Sequence, residues 1–409
     1  MWLSVIRKLK EKEGIKIDFV FPESSTLGLE DKNSGLFNLA EQFADNVIYR
    51  GYSRRWFIAS TLIEARTAIN RTKFSKFDAE ILRLSFRLTQ GKASKYAILR
   101  VIGKYLSIMY EYFFHIRENF IRQTPYDFSL LGDTDGILFD VTVERKLIHT
   151  ELRNELKNVQ RFSMIHGLNI PWLTSYLNCE QSAVKRSDVT VYSRSHLEVN
   201  GYKKCHGILE KNIVHAGIPR HDKEWIEFIC NQFDVVKDDI FDSFVFIIGR
   251  QKAPYLPIAR KKKALKNIYN VICVKHKLKL VIKTHPKEPL DGIDGNIYRD
   301  TLGMENYGKT WIFSSNHPFI LGKKSLFCIS FYSGVPVDML AINKPTIEYL
   351  DLEGLEEYDN KNSLRDKHGK PVSQFRYANL VLGASSKLDL EQHVESILNQ
   401  YEATISPLR

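Results

Sequence analysis

A histidine and two lysines follow one short apolar run late in the chain. The run Leu280–Ile282 is bounded by polar residues, which is typical of a buried parallel strand. Pro286 cannot donate to a ladder and disfavours helical geometry in the residue before it, so the strand ends by presenting His285. Open α/β sheets bind ligands at the carboxyl ends of their strands. His285, with Lys283 and Lys287, therefore predicts a phosphate-bearing ligand.

Two other predicted strands in the same half end on residues that suit a phosphate. Gly249 and Arg250 follow one apolar run, and Ser330, Ser333 and Gly334 follow another. Glycine permits close backbone approach, and a helix that starts there offers free N–H groups and its positive dipole end. The pattern predicts a diphosphate site built from backbone and serine hydroxyls. The simpler interpretation is ordinary turn chemistry.

The elements that must position these residues alternate helices with short apolar strands, as parallel α/β sheets do. The expected strands are Ile15–Phe21, Asn46–Tyr49, Tyr126–Leu131, the run from Phe162, Val189–Ser193, the start of Asn212–Pro219, Phe244–Ile248, Lys279–Ile282, an edge strand at Lys309–Phe313, Leu326–Ser330 and a last strand at Thr346–Tyr349. The expected helices are Trp2–Lys12, most of 54–123, Thr142–Arg161, Lys261–His276, Val335–Ile342 and Leu388–Tyr401.

Two α/β halves in tandem follow from this order. Residues 1–220 form an N-terminal Rossmann-like domain with a helical insertion, and residues 221–385 form a second Rossmann-like domain. Residues 386–409 are a C-terminal helix, and the linker is expected near Arg220–Asp239. A length of 409 residues agrees with two domains.

The composition is that of an ordinary soluble globular protein with an excess of positive charge. The formal net charge is +11 and the pI about 9.2, which favours an anionic partner: nucleic acid, an acidic bilayer surface or a phosphorylated substrate. Five scattered cysteines without a CxxC pair favour reduced thiols over a zinc site. No apolar run has the length of a membrane span or a signal peptide, so a cytoplasmic location is expected.

Residues 94–122 interleave lysine and arginine with tyrosine, phenylalanine and isoleucine. One interpretation is a basic, aromatic helix that lies on a membrane surface. The other is a buried helix that packs on a sheet and keeps a charged outer face. The second interpretation is the more common one for such a pattern.

The motifs resemble a known family. Lys283-Thr284-His285-Pro286, followed by Ile329–Gly334, Asp338 and Lys344-Pro345, resembles the nucleotide-binding half of GT-B glycosyltransferases. Among these enzymes the chain is similar to the bacterial surface-polysaccharide group with "HP" and serine motifs. That group includes sialyl-, polysialyl- and Kdo-transferases that use CMP-sugars, and the CDP-glycerol polymerases of teichoic acid synthesis.

The first half agrees with this resemblance in its order. His166-Gly167 and, later, Gly217–Arg220 look similar to segments of the CDP-glycerol polymerases. The resemblance extends from Tyr126 to Leu350. It departs at Phe331–Gly334, where the CDP-glycerol enzymes usually have Asp-Tyr-Ser-Ser, and the residues before Tyr126 match no acceptor pattern.

The resemblance implies a GT-B fold, two Rossmann-like domains facing a cleft, and a metal-independent site. His285 would bind the donor phosphate and help the nucleotide leave. Positive charge from Lys283, Arg250 and the helix at Val335 would stabilise the leaving group. The residues assigned to the donor are Gly249, Arg250, Lys283, Pro286, Ser330, Ser333, Gly334 and Glu348.

The acceptor side of the reaction requires a base. His166 is one candidate, with a structural histidine beside a turn glycine as its alternative. Asp135 is another, as a base or nucleophile, although Asp133-Thr134-Asp135 more simply forms a turn. Glu348 would bind a ribose or a base edge, and its alternative is a solvated charge at a strand end.

The expected function is therefore a glycosyltransferase that moves a sugar from a nucleotide-activated donor, with a CMP-ulosonate as first choice, to a growing bacterial surface glycan. A lipid-linked or oligosaccharide acceptor and a peripheral contact with the inner membrane are expected, without metal or cofactor. The alternatives are a CDP-glycerol-type polyol phosphate transferase, a nucleotide-sugar epimerase and a nucleic-acid-binding protein. No nucleic-acid-binding motif is present, which argues against the last.

Overall fold

The computed structural model divides the chain into two compact units, residues 2–161 and 162–409, which are described separately. The residues that it describes are 2–12, 14–20, 38–48, 84, 88, 96–103, 105–106, 109, 134–139, 159–164, 182, 185–232, 241–285, 288, 290 and 293–405. The predicted strand Tyr126–Leu131 and nearly all of the predicted helices at 54–123 and Thr142–Arg161 lie outside them.

Unit 2–161 begins with a helix, α1 (Trp2–Lys10), which buries Trp2 and Ile6. Two short strands, β1 (Asp18–Val20) and β2 (Asn46–Ile48), pair in parallel. Residues 38–43 form a helix between them in sequence. A further strand, β3 (Gly136–Phe139), lies beside the first residues of β4 (Gln160–Ser163), and the division between the units passes through β4.

The helical residues 97–103, 105–106 and 109 of this unit carry five large apolar side chains on the outside. Ile98, Val101, Ile102, Tyr105 and Met109 are between 45% and 74% exposed. A helix buried on a sheet would hide these side chains and present its charges to solvent. The described residues of this segment are therefore covered at Leu99, Gly103 and Leu106 and exposed along the five-residue apolar side.

Unit 162–409 contains a six-stranded parallel sheet. Its strands are β7 (Phe244–Ile248), β8 (Lys279–Lys283), β9 (Trp311–Phe313), β10 (Cys328–Ser330), β11 (Thr346–Tyr349) and β12 (Leu382–Ala384). The spatial order is β12-β11-β10-β7-β8-β9, so the chain fills one side of β7 and then the other. This is the 3-2-1-4-5-6 order of a doubly wound fold, whose topological switch point lies between β7 and β10.

A second parallel sheet of the same unit joins the end of β4 to β5 (Thr190–Ser193) and β6 (Ile213–His215). The strands of both sheets are short and mostly rich in Val, Ile and Phe, as expected for strands that helices cover on both faces. The helices of the unit are α2 (His196–His206), α3 (Lys223–Gln232), α4 (Ile258–Tyr269, extended by a π-helical turn at Asn270–Lys275), α5 (Ile293–Leu302), α6 (Pro318–Lys324), α7 (Val335–Leu340), α8 (Gln374–Tyr377) and α9 (Lys387–Ile405).

The main core lies on one face of the six-stranded sheet, where Val245, Leu280, Ile329 and Ile347 meet side chains of α4, α5 and α9. Side chains alternate along a strand, so the next residue on each strand, such as Phe246 on β7, belongs to the opposite face. The predicted strands of this sheet are confirmed, including β9 as an edge strand.

The structure corrects several sequence-based boundaries. Helix α3 occupies half of the predicted linker Arg220–Asp239. Strand β12 follows β11, so Thr346–Tyr349 is not the last strand. Helices α5 and α6 were not expected, because glycines and prolines interrupt their apolar pattern. The division at 161/162 differs from the predicted boundary after Arg220, since 162–220 belong to the unit of the six-stranded sheet.

Three further findings concern the cysteines, membrane-spanning helices and metal ligands. Cys205 is disulfide-bonded, so the expectation of reduced thiols is wrong at that residue, whereas Cys230, Cys273 and Cys328 are free. No helix among the described residues is long and apolar enough to cross a membrane. Within the same described part of the chain, no group of three or more His, Cys, Asp or Glu side chains is placed to hold a metal ion.

Candidate active site at the carboxyl edge of the six-stranded sheet

A polar row crosses the carboxyl edge of the six-stranded sheet. The register places Gly383, Glu348, Ser330, Ile248 and Lys283 side by side on five neighbouring strands. Residues in register on a parallel sheet present their side chains to the same face. Ser330 and Ile248, on β10 and β7, flank the switch point, where doubly wound sheets bind their ligands.

Ser330 and Glu348 are both fully buried, and each carries an unused hydrogen-bonding atom. The Ser330 Oγ and the Glu348 Oε2 have no hydrogen-bond partner among the described atoms. The other oxygen of Glu348, Oε1, accepts from the Ser373 hydroxyl at 2.6 Å and lies 3.0 Å from Arg376 Nε. Buried polar groups almost always have partners, so these two atoms on neighbouring strands are candidates for hydrogen bonds to a ligand.

Arg376 holds the Glu348 end of this row. Its Nη2 donates to the carbonyl oxygens of Glu348, Leu350 and Ala384 at 2.6–2.7 Å, and its aliphatic stem occupies the space beside Gly383. Burial raises the pKa of Glu348, while Arg376 acts in the opposite direction. The alternative of a solvated strand-end charge is therefore wrong for Glu348.

In the loop after β10, the residue with an unfavourable backbone conformation is Tyr332 and not Gly334. Tyr332 has φ +67°, in the left-handed region that bulky residues rarely adopt, whereas Gly334 has φ −75°. Edge-to-face contacts with Tyr255 at 4.9 Å and Phe375 at 5.7 Å hold the Tyr332 ring in place. Burial raises the pKa of Tyr332 to about 12. The Ser333 Oγ accepts from the Val335 N–H at 3.3 Å, so that serine shapes the loop.

At Gly249 the neighbouring backbone leaves no room for a side chain. A Cβ at this position would lie 2.8 Å from the Lys283 carbonyl oxygen and 2.9 Å from the Thr284 Cα. The Gly249 N–H also donates to that carbonyl at 2.8 Å. The glycine therefore lets the end of β7 approach the end of β8, a structural role distinct from the predicted approach to a phosphate.

A buried ion pair fixes the turn that carries His285. Glu288 and Lys261 are completely buried and paired with each other, and the Lys261 Nζ also lies 4.4 Å from the centre of the Tyr298 ring. The Glu288 Oε2 accepts from the backbone N–H of His285 at 3.0 Å. Breaking a buried pair leaves an uncompensated charge, so this pair holds the turn firmly against α4.

Arg250 lies just beyond the end of β7. Its Nε donates to the Tyr255 hydroxyl at 2.5 Å, and the guanidinium lies 5.7 Å from the centre of that ring. A phenol orients a guanidinium without neutralising it, so this cation keeps its full charge toward an anionic ligand. On β8, the Lys283 Nζ donates to the Ser315 carbonyl oxygen at 2.8 Å.

A second cluster brings residues from before α3 to helix α7. Arg220 binds the Asp338 carboxylate through two hydrogen bonds, Nε to Oδ1 at 2.8 Å and Nη2 to Oδ2 at 2.9 Å. The His221 Nε2 lies 2.8 Å from the same Oδ1. Since a carboxylate only accepts, His221 carries a proton on Nε2. Asp338 therefore anchors the segment Pro219–His221 beside the loop that begins α7.

The charges of Arg220 and Asp338 in this cluster act on His317. Its Nδ1 accepts from the Phe319 N–H at 3.2 Å and so caps helix α6. Burial, together with the charges of Lys283 and Arg220, lowers the pKa of His317 to about 4, and Asp338 opposes the shift. His317 is thus neutral at physiological pH and carries its hydrogen on Nε2.

The structure brings most of the predicted donor residues to one edge. Those that lie there are Gly249, Arg250, Lys283, His285, Ser330, Ser333, Gly334 and Glu348. His166 and Pro286 lie outside the described residues. Asp135 directly precedes β3 and is exposed, and its predicted role as base or nucleophile remains a prediction.

Sequence reasoning did not single out Arg220, His221, His317 and Asp338 as site residues. Two signals were available. His317-Pro318 repeats the spelling of His285-Pro286 at a predicted strand end, and Arg220 follows Gly217-Ile218-Pro219. Their meeting depends on a contact across 118 residues of sequence, which no local pattern reveals.

Comparison with known proteins identifies likeness in structure alone. No protein-family model matches the chain, and no curated protein matches it. A UDP-GlcNAc 2-epimerase from Methanocaldococcus jannaschii is similar over 97% of this chain and 89% of its own, with 12% identity and a TM-score of 0.45. The UDP-GlcNAc 2-epimerase from Neisseria meningitidis is similar over 98% of this chain and 88% of its own, with 13% identity and a TM-score of 0.47.

The wall teichoic acid polymerase TagF is similar over 65% of this chain and 66% of its own, with 14% identity and a TM-score of 0.38. These likenesses carry no argument about activity. The predicted α/β class with Rossmann-like parallel sheets, as in GT-B proteins, is confirmed by the strand order. The argument for function rests on the residues of the site.

Proposed function

We propose that this protein is a glycosyltransferase that takes its sugar from a nucleotide-activated donor. The observation that carries the proposal is the polar row at the switch point of a 3-2-1-4-5-6 sheet, with the unpartnered Ser330 Oγ and Glu348 Oε2 at its centre. In such folds the crevice outside β7 and β10 accepts a nucleotide.

The charges around the row favour a phosphate. Arg250 and Lys283 lie at the ends of β7 and β8, and Arg220 lies near His317. Three described carboxylates near the row are paired with a cation: Glu288 with Lys261, Asp338 with Arg220, and Glu348 with Arg376. The remaining positive charge suits the anionic part of a donor and the charge that develops on the departing nucleotide.

Each residue has a distinct part in this proposal. Glu348 and Ser330 bind the ribose hydroxyls, because a carboxylate oxygen and a serine hydroxyl match a vicinal diol. Lys283 and Arg250 bind the phosphate, and His285 donates a hydrogen bond or proton to the leaving oxygen. Ser333 and Gly334 shape the loop between these subsites. His166 remains the proposed base for the acceptor hydroxyl.

The identities of the donor and the acceptor are more specific proposals. A CMP-ulosonate is the first choice for the donor, and a growing bacterial surface glycan, lipid-linked or oligosaccharide, for the acceptor. A CDP-glycerol-type transfer and a nucleotide-sugar epimerisation are alternatives at the same site.

The first test is thermal unfolding of the purified protein with CMP, CDP, UDP, GDP, ADP and short oligonucleotides. A ligand that binds only the folded state raises the melting temperature by linkage, by several degrees at saturating concentration. We expect CMP or CDP to stabilise the protein. His285→Ala and Ser333→Ala should each abolish transfer, with circular dichroism spectra equal to that of the parent protein.

The outcomes separate the alternatives. Stabilisation by UDP or GDP would retain the nucleotide site and exclude the cytidine donor. A product with an inverted sugar carbon and no requirement for an acceptor would identify an epimerase. Stabilisation by oligonucleotides alone, or full turnover in both variants, would contradict the proposed site.

A further inference from the structure

Tyr332, two residues beyond the switch-point strand β10, is a tyrosine at a position that favours glycine. Its φ of +67° lies in the left-handed region, which glycine adopts freely and bulky residues rarely adopt. Such a conformation costs stability, and residues that keep it cluster at functional sites. The Tyr332 side chain should therefore contribute something that a glycine at this position could not supply.

The Tyr332 ring lies between the two ends of the polar row. On one side it makes an edge-to-face contact with the Tyr255 ring at 4.9 Å, and the Tyr255 hydroxyl accepts from Arg250. On the other side it contacts Phe375 on helix α8 at 5.7 Å. The same helix is joined to Glu348 by an ion pair. Tyr332 is thus placed between Arg250, assigned to the phosphate, and Glu348, assigned to the ribose.

The hydroxyl of Tyr332 is a hydrogen-bond donor without a use inside the described part of the chain. The side chain is half-buried, and no hydrogen bond to this hydroxyl is present among the described residues. Burial, followed by the negative charge of Glu348, raises its pKa to about 12, so the phenol is neutral at physiological pH. A neutral phenol can donate one hydrogen bond, and a phosphate oxygen is a strong acceptor.

We propose that Tyr332 is a ligand-binding residue whose hydroxyl donates a hydrogen bond to the phosphate of the bound nucleotide. This inference rests on the proposed function and adds a neutral donor to the cations at the strand ends. The contacts with Tyr255 and Phe375 hold the ring in place before the ligand arrives, so little side-chain freedom is lost on binding. The unfavourable backbone conformation of Tyr332 is retained because it directs the ring to this place.

The test is calorimetric titration of the full chain, direct and by displacement, with CMP and with cytidine, which lacks the phosphate. Tyr332→Phe keeps the ring and its packing and loses only the hydroxyl. We expect it to weaken CMP binding by about tenfold, to leave cytidine binding unchanged, and to melt at the same temperature as the ligand-free parent. Tyr332→Gly, which adopts the same φ without strain, should weaken CMP binding at least as much.

The matched control is Tyr358→Phe. Tyr358 is also half-buried and makes an edge-to-face contact with the same Tyr255 ring at 5.7 Å, but its hydroxyl lies 3.4 Å from the Glu357 carboxylate. This variant should bind CMP as the parent does. If UDP is the nucleotide that stabilises the parent, UMP and uridine replace CMP and cytidine in all titrations.

The outcomes separate this inference from the proposed function. Parent-like CMP affinity in Tyr332→Phe, or an equal loss of affinity for CMP and cytidine, would overturn the assignment of Tyr332 and leave the nucleotide site in place. A parent protein that binds none of these nucleotides would overturn the nucleotide site and the assignment of Tyr332 together.

Discussion

At the scale of single residues, the candidate site contains buried polar atoms that have no hydrogen-bond partner among the described atoms. Ser330 and Glu348 have this property, whereas the nearby Ser325 does not: its Oγ donates to the Gly322 carbonyl oxygen at 3.0 Å. A buried hydroxyl without a partner costs stability, and a natural protein retains it where a ligand supplies the missing hydrogen bond. The contrast between these serines makes the assignment testable.

We expect Ser330→Ala to leave the ligand-free protein as stable as the parent or more stable by about 1 kcal/mol, because an unsatisfied hydroxyl is removed. The same change should weaken nucleotide binding. Ser325→Ala should lose about 1 kcal/mol of stability and bind nucleotide normally, because it removes a satisfied hydrogen bond away from the row. Denaturant unfolding and calorimetric titration measure both effects. Unchanged nucleotide affinity in Ser330→Ala would contradict its role in binding.

His317 gives the site a dependence on pH. Its pKa is about 6.5 in the unfolded chain and about 4 in the folded protein, so the unfolded chain binds the proton first as the pH falls. The free energy of unfolding contributed by His317 is therefore fully present above pH 6.5. It decreases as the pH falls toward 4, by up to about 3 kcal/mol in total.

His317→Asn should flatten this decrease, because the asparagine side chain can still accept from the Phe319 N–H but does not titrate. His368→Asn, on an exposed loop, is the control and should keep the parent slope. Urea unfolding at several pH values between 4 and 7 measures the difference. Identical slopes for His317→Asn and the parent would contradict the assignment.

At the scale of elements, the ends of the strands are joined by a few buried side chains. Arg376, on α8, links the carboxyl ends of β11 and β12 by donating to three carbonyl oxygens. The pair of Glu288 and Lys261 links the turn after β8 to α4. The loops of the candidate site are thus attached to the rigid sheet on both sides of the switch point, and their positions follow from that sheet.

Arg376→Ala should destabilise the protein by about 3–5 kcal/mol, because it leaves Glu348 buried without its counter-ion and removes one donor from each of three carbonyls. Arg376→Ala/Glu348→Gln should recover part of this loss, since the uncompensated charge is gone. A double-mutant cycle of unfolding free energies provides the coupling. Additive effects of the two substitutions would show that the pair does not interact.

At the scale of the whole molecule, a net charge of +11 allows several anionic partners. The structure places some of this charge at the ends of the strands, where Arg250 and Lys283 lie. Salt weakens exposed charge interactions most, because the Debye length falls with ionic strength. Nucleotide binding at a buried row should therefore tolerate salt better than binding to the surface.

We expect CMP affinity to fall by no more than roughly tenfold between low and high salt, and surface binding of a short oligonucleotide to fall further over the same range. Excess short oligonucleotide should not displace CMP. Titration calorimetry at increasing sodium chloride concentrations tests this order. Displacement of CMP by oligonucleotide would favour a nucleic-acid-binding protein.

The sequence by itself determined the α/β class, the strands of the six-stranded sheet and the candidate residues at their ends. Short apolar runs followed by Gly249, His285 or Ser333 are local signals, because strand propensity and turn chemistry act over a few residues. The interpretation of residues 94–122 required exposure, since the same helical pattern suits a buried face and a membrane-facing one.

Only the tertiary structure decided which of these residues meet. The row from Lys283 to Gly383 depends on strand order and register, and Arg220 reaches Asp338 across 118 residues. Partners that are distant in sequence are selected by packing and by satisfaction of buried polar groups, and neither is encoded in a local window.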